Sequence, residues 1–229
     1  MAAVEMAAPA AAAPLPLSVL ARRVVALTIV CGFVEMIGYM DVGRIYPAIM
    51  TGNTVQLGYF LSQSDWGHFL TIGYAIASFF VGCMIASLIR RHLQHPPLEL
   101  VLMAAVLVVA GFVREDPALR APVELPLLAL ALAMQGETIG RFGAVSLQTL
   151  VVTNNMVKFS DAFVGRYMSR AGEKRPPLQE VLLPGLSWLT YSLAAAAGAE
   201  VATGLPYPFL IPAAVLLLVT VDLLRNPDR

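Results

Sequence analysis

Apolar residues run in long blocks along this chain, and arginines, prolines and glycines cut the blocks apart. A stretch of roughly 20 apolar residues is needed to cross the hydrocarbon of a bilayer. Six blocks approach that length: Val24–Met40, Phe69–Ile89, Leu98–Val113, Glu124–Gly140, Val181–Val201 and Tyr207–Leu224. Two more, Ile45–Ser62 and Leu147–Val164, are interrupted by polar residues. The first carries Thr51-Gly52-Asn53-Thr54; the second carries Thr153-Asn154-Asn155, then Lys158 and Asp161. The pattern predicts an all-α polytopic membrane protein with six transmembrane helices plus two short re-entrant or interrupted helices. A single membrane domain is expected over 21–229. Residues 1–20 are rich in Ala and Pro with no early positive charge, and are expected to form a disordered tail, not a cleaved leader.

Composition agrees with a membrane class. The 229 residues are 58% hydrophobic and 13% charged, with a mean hydropathy of +0.74, where an ordinary soluble domain carries about 25% charge. That balance argues against a disordered protein, a coiled coil and a nucleic-acid binder. The net charge of zero says little, but its placement says more. If both interrupted segments are re-entrant, only Arg44, Arg114 and Arg120 of the 15 basic residues lie outside, a 12:3 split. Full crossing by both gives 11:4 and moves the Arg90-Arg91 pair outside. Lysine and arginine concentrate on cytoplasmic loops, which favours the re-entrant layout with both termini cytoplasmic.

The two interrupted segments match each other. At an offset of 102, Glu35 aligns with Glu137, Ile37 with Ile139, Gly38 with Gly140, Thr51 with Thr153, Asn53 with Asn155 and Val55 with Val157. Four of these identities are polar or glycine, where chance matches in membrane sequence fall on Leu, Ala and Val. The halves, about 21–116 and 122–225, each read as span, interrupted segment, span, span. Three crossings per half make the repeat inverted, a plan used by secondary transporters with sites at discontinuous helices.

The run Gly32-Phe33-Val34-Glu35 followed by Met50-Thr51-Gly52-Asn53 resembles the YoaK-like family of bacterial inner-membrane proteins, a domain-of-unknown-function group. Its members show Gly-Phe-Val-Asp, Met-Thr-Gly-Asn and a second-half Val-Thr-Gly element, matched here by Val152-Thr153-Asn154. The resemblance covers about residues 20–224. Glu35 stands where the family has aspartate, and Asn154 where it has glycine. The resemblance implies a six-span protein of the bacterial inner membrane and leaves the activity open.

Several residues offer chemistry. Thr51, Gly52 and Asn53, with Thr153, Asn154 and Asn155, suit the start of a half-helix, where side-chain oxygens cap orphan N–H groups and an anion is favoured. Such residues also satisfy a broken helix without binding anything. Glu35 and Glu137 fall inside predicted spans, where a carboxylate is expensive and is a candidate for proton coupling, or else forms an interhelical hydrogen bond. Lys158 and Asp161 are neighbours on a helix, so they form an ion pair or leave Lys158 as an anion ligand. Asp41 and Arg44 read as a solvated loop pair. Gly82, Ala194 and Gly198 permit close helix contacts. Cys31 and Cys83 lie in apolar runs, and His68, His92 and His95 have no partners at metal spacing. Nucleophile, zinc-protease, phosphate-loop and dinucleotide signatures are absent, so neither an enzyme nor a cofactor is expected. The sequence points to a small secondary transporter in contact with the lipid bilayer and an unidentified small-molecule substrate, with a homodimer plausible for so small a bundle. The alternative is a non-transporting scaffold or sensor that partners another protein.

Overall fold

The computed structural model describes residues 15–138, 141–142, 145–147, 149, 152–170 and 172–226. Eight α-helices occur among them. The first four are α1 (Leu17–Asp41), α2 (Met50–Ser62), α3 (Trp66–Leu93) and α4 (Pro96–Val113). A 3-10 turn (Pro117–Leu119) and a wide turn (Arg120–Glu124) lead into α5 (Leu125–Thr138), followed by α6 (Val152–Tyr167), α7 (Leu178–Gly204) and α8 (Leu210–Arg225). A two-residue antiparallel ladder pairs Arg141 with Ser146 and Phe142 with Val145. The matched pair Ile139 and Gly140 lies outside the described residues.

Local chemistry sets the helix ends. Pro16 precedes α1, so the helix starts five residues before Arg22 and absorbs Leu17–Leu20 of the expected tail; residues 1–14 of that tail lie outside the described residues. The Asp65 side chain accepts the His68 amide at the start of α3, and Gln94 closes that helix at φ 50°. Pro96 and Pro97 open α4, where a missing N–H costs nothing. Among the described residues, five helices are long and apolar enough to cross a membrane: α1, α3, α4, Pro117–Thr138 and α7. The expected span Tyr207–Leu224 holds α8, which with 16 residues or about 24 Å of helix is not among those five. Its first residues, Tyr207-Pro208-Phe209, form the turn that starts it, with the Leu210 and Ile211 amides bonding back to Tyr207 and Pro208.

Named contacts fix the direction of each helix. Thr28 meets Ser187, and added Cβ atoms at Gly32 and Gly198 would lie 2.8 Å from Ala194 and 3.2 Å from the Phe33 backbone. Hence α1 and α7 run parallel. The Tyr74 hydroxyl donates to the Pro122 carbonyl, Gly82 abuts the Leu130 backbone and Arg90 meets Glu137, so α3 and α5 also run parallel. Phe112 packs on Tyr207 and Gly111 on Phe209, which makes α4 and α8 antiparallel. Small residues at these crossings let backbones approach, the main source of helix association where lipid is as apolar as Leu.

The bundle thus has two ends. One, the Asp41 end, gathers the ends of α1, α4 and α7 with the starts of α3, α5 and α8. The other, the Arg22 end, gathers the starts of α1, α4 and α7 with the ends of α3, α5 and α8. The chain leaves α1 and joins α3 at the same end, so the intervening segment doubles back. It descends through 42–49 and climbs through α2, which packs on α3. The chain likewise leaves α5 and joins α7 at the Arg22 end, and α6 runs antiparallel to α7, with Asn155 on Ser187 and Phe159 against Gly185.

Candidate functional site

The two polar stretches of the first half meet at the lead-in to α2. Gly38 faces Pro47, and an added Cβ there would lie 2.5 Å from the proline ring. Tyr39 stacks on Tyr46, with ring centroids 4.6 Å apart. The Asn53 side chain is fully buried; its Oδ1 accepts the Tyr46 amide (3.1 Å) and its Nδ2 donates to the Tyr46 carbonyl (2.7 Å). Asn53 therefore pairs with a backbone as a strand would, closing the loop 46–53. Gly52 lies flush on the Tyr46 ring, 3.2 Å from an added Cβ. Thr51 is exposed, and no side chain caps the first turn of α2. The capping expected of Thr51 and Asn53 is thus replaced by a clamp that Asn53 makes from the fourth helical position.

Glu35 sits opposite this turn. Its carboxyl is 3% exposed and faces the backbone amides of Ala48 and Ile49 without meeting either at hydrogen-bonding geometry. Tyr191 of α7 lies within electrostatic reach of Glu35, Cys31 and Tyr46. Glu35 is six residues, about 9 Å of helix, inside Asp41.

The second half builds a related but distinct cluster. Asn155 is fully buried at the fourth position of α6, as Asn53 is in α2, and donates to the Ser187 hydroxyl (3.0 Å), which lies 3.3 Å from the Thr28 hydroxyl. Gln135 donates to the Leu27 carbonyl (2.7 Å) and the Thr149 hydroxyl (2.9 Å). Thr153 is exposed and Asn154 half-buried; Lys158 is half-buried and Asp161 exposed, both on α6. Glu137 lies in the last described turn of α5, within the span-length segment Pro117–Thr138, where it is 42% exposed and 3.4 Å from Arg90. Glu35 and Glu137 are therefore not brought together.

Sequence reasoning missed the charged cluster at the Asp41 end. Asp41 does not pair with Arg44; it receives Arg114 at 2.5 and 3.1 Å, and Arg120 lies 3.6 Å away. Arg114 also donates to the Ala202 carbonyl (2.9 Å), and the buried Glu124 lies beside Asp41. The available signal was Glu124 itself, an acid opening an apolar block. Thr28 and Ser187 are single hydroxyls in apolar helices, Thr149 is a single hydroxyl in a turn before α6, and none carried a signal. Among the described residues no three His, Cys, Asp or Glu side chains gather as a metal site.

The long apolar helices and their exposed large hydrophobic side chains are those of a polytopic, all-α membrane protein. The family described as "Protein of unknown function (DUF1275)" matches residues 24–222, and the chain belongs to that family. It is 25% identical over 177 residues to the UPF0700 transmembrane protein YoaK of Bacillus subtilis (strain 168), covering 74% of this chain and 78% of that protein. No solved structure matches the chain.

Proposed function

We propose that this protein is a small secondary transporter of the bacterial inner membrane, made of two inverted repeats with six crossings and two re-entrant helices. The repeat reading is supported by helices that start 102 residues apart, at Met50 and Val152, each burying an Asn at its fourth position. It is supported again by packing: exchanging α1 with α5 and α3 with α7 turns the α1–α7 contact into the α5–α3 contact, and α4–α8 maps onto itself. The arginine distribution supports a cytoplasmic Arg22 end.

In this reading α2 enters from outside and α6 from the cytoplasm, each starting about 9 Å within the bundle from Asp41 or Arg22. Thr51, Gly52 and Asn53 border one side of the substrate path, and Thr153, Asn154, Asn155 and Lys158 the other. Glu35 is the proton-carrying group. The observation that carries the proposal is that carboxyl, sealed inside a span against a broken backbone with neither oxygen hydrogen-bonded among the described residues. An intramembrane acid with no cation or side chain paired to it among the described residues is retained at a cost and is a functional candidate by default.

Proteoliposomes loaded with a pH-sensitive dye test this reading, using a panel of small carboxylates, amino acids and sugars. At least one class is expected to drive proton movement. Glu35→Gln should abolish it while the purified protein keeps its melting temperature. A silent panel, or an equally active variant, contradicts the proposal. A second reading, a scaffold or sensor, is favoured by Asn53, whose amide is committed to Tyr46; it requires a silent panel.

A further inference from the structure

At the Arg22 end, α1 and α8 enclose a groove of about 520 Å³ with two unlike halves. Its volume falls within the range of small-molecule sites, roughly 300–1,000 Å³. The outer half is polar. Asp222 receives Arg22 and, at 2.7 Å, the Nε of Arg23, while Arg23 also donates to the Asn226 carbonyl and the Asn226 amide reaches Asp222 (3.2 Å). This lattice fixes two guanidinium groups beside each other. Arg22 is nevertheless 52% exposed and lines the groove, and a guanidinium carries five N–H donors, more than its bond to Asp222 uses. Arg225 completes the rim, is exposed and pairs with no acid among the described residues. Among the described residues, three arginines and one aspartate line the groove.

The inner half is apolar and lies one helical turn deeper, at Ala26 on α1 and Leu218 on α8, with Val221 beside them. Leu218 is 70% exposed, so this wall opens sideways to the surroundings of the bundle. A cationic rim above a laterally open apolar wall has the polarity profile of a phospholipid. Guanidinium forks match phosphate oxygens bidentately, and basic pockets between transmembrane helices on the cytoplasmic face take anionic headgroups.

We propose that this groove binds the phosphate headgroup of an anionic phospholipid, with an acyl chain along Ala26, Leu218 and Val221. A free phosphate offers the same anion without the chain, and a zwitterionic lipid offers the chain without the net charge. The test is thermal unfolding of the full-length protein in detergent, titrated with dioctanoyl-phosphatidylglycerol, dioctanoyl-phosphatidylcholine or inorganic phosphate. The phosphatidylglycerol should raise the melting temperature by several degrees and saturate, while the other two leave it unchanged. The Arg22→Gln/Arg225→Gln pair should keep the ligand-free melting temperature, because Arg23 retains Asp222, and should weaken the phosphatidylglycerol response at least tenfold. Arg166→Gln, remote on α6, should respond as the native chain does. An equal shift with phosphatidylcholine or with phosphate alone overturns the proposal, as does an unchanged phosphatidylglycerol response in the double variant.

Discussion

Asn53 is recognised in the sequence by its setting, a polar side chain in an apolar segment that recurs as Asn155. Its partner is not recognisable, because the partner is the backbone of Tyr46, and backbone groups carry no residue-specific signal. The same holds for Glu35, which faces the amides of Ala48 and Ile49. Asn53→Ala leaves the Tyr46 N–H and C=O unpaired within the span, at about 1–3 kcal/mol for each group. Thermal unfolding in detergent should show that loss, whereas Thr51→Ala, whose side chain is exposed, should change stability little. Arg114→Ala leaves Asp41 and Glu124 together in a buried site without their main cation, and removal of one member of such a cluster costs about 3–5 kcal/mol. Arg114→Lys should recover part of that loss, since it keeps the charge but not the fork that spans both Asp41 oxygens and the Ala202 carbonyl.

At the scale of elements, the existence of the helices was legible in the apolar blocks, and their ends were less so. The start of α1 lies before its arginines because Pro16 and four apolar residues extend the helix, and α8 is shortened by the turn at Pro208. The lead-in to α2 depends on Gly38, whose missing side chain admits Pro47. Gly38→Ala should destabilise the protein by about 1–3 kcal/mol, the usual cost of overpacking, and should loosen the Tyr39–Tyr46 stack. At the start of α3, the His68 amide and imidazole hold the exposed Asp65 carboxyl below the ordinary carboxylate range. A carboxyl lowered in the folded state stabilises above its unfolded pKa, near 4, and loses that contribution as pH falls through the folded value. The melting-temperature difference between the native chain and Asp65→Ala should therefore be constant near neutral pH and shrink in acid below about pH 4.

At the scale of the molecule, the proposal of an inverted pair of halves rests on loop charge and the 102-residue offset. The contacts of α1 with α7 and of α3 with α5 support that reading through parallel directions no sequence pattern encodes. What the offset obscured is asymmetry. Glu35 is sealed while Glu137 meets Arg90 at the surface, and the first half clamps its turn with Asn53 while the second builds a hydroxyl and amide network around Asn155. A repeat preserves positions more readily than partners, since each half packs on different neighbours. The proposed transport cycle rests on the two short helices penetrating from opposite faces. Impermeant maleimide labelling of Gln63→Cys and Glu173→Cys, in a Cys31→Ala/Cys83→Ala background in intact cells and inverted vesicles, tests this most directly. Gln63, after α2, should react only in cells and Glu173, after α6, only in inverted vesicles. Reaction of both from the cytoplasmic face would make the halves parallel and contradict the account.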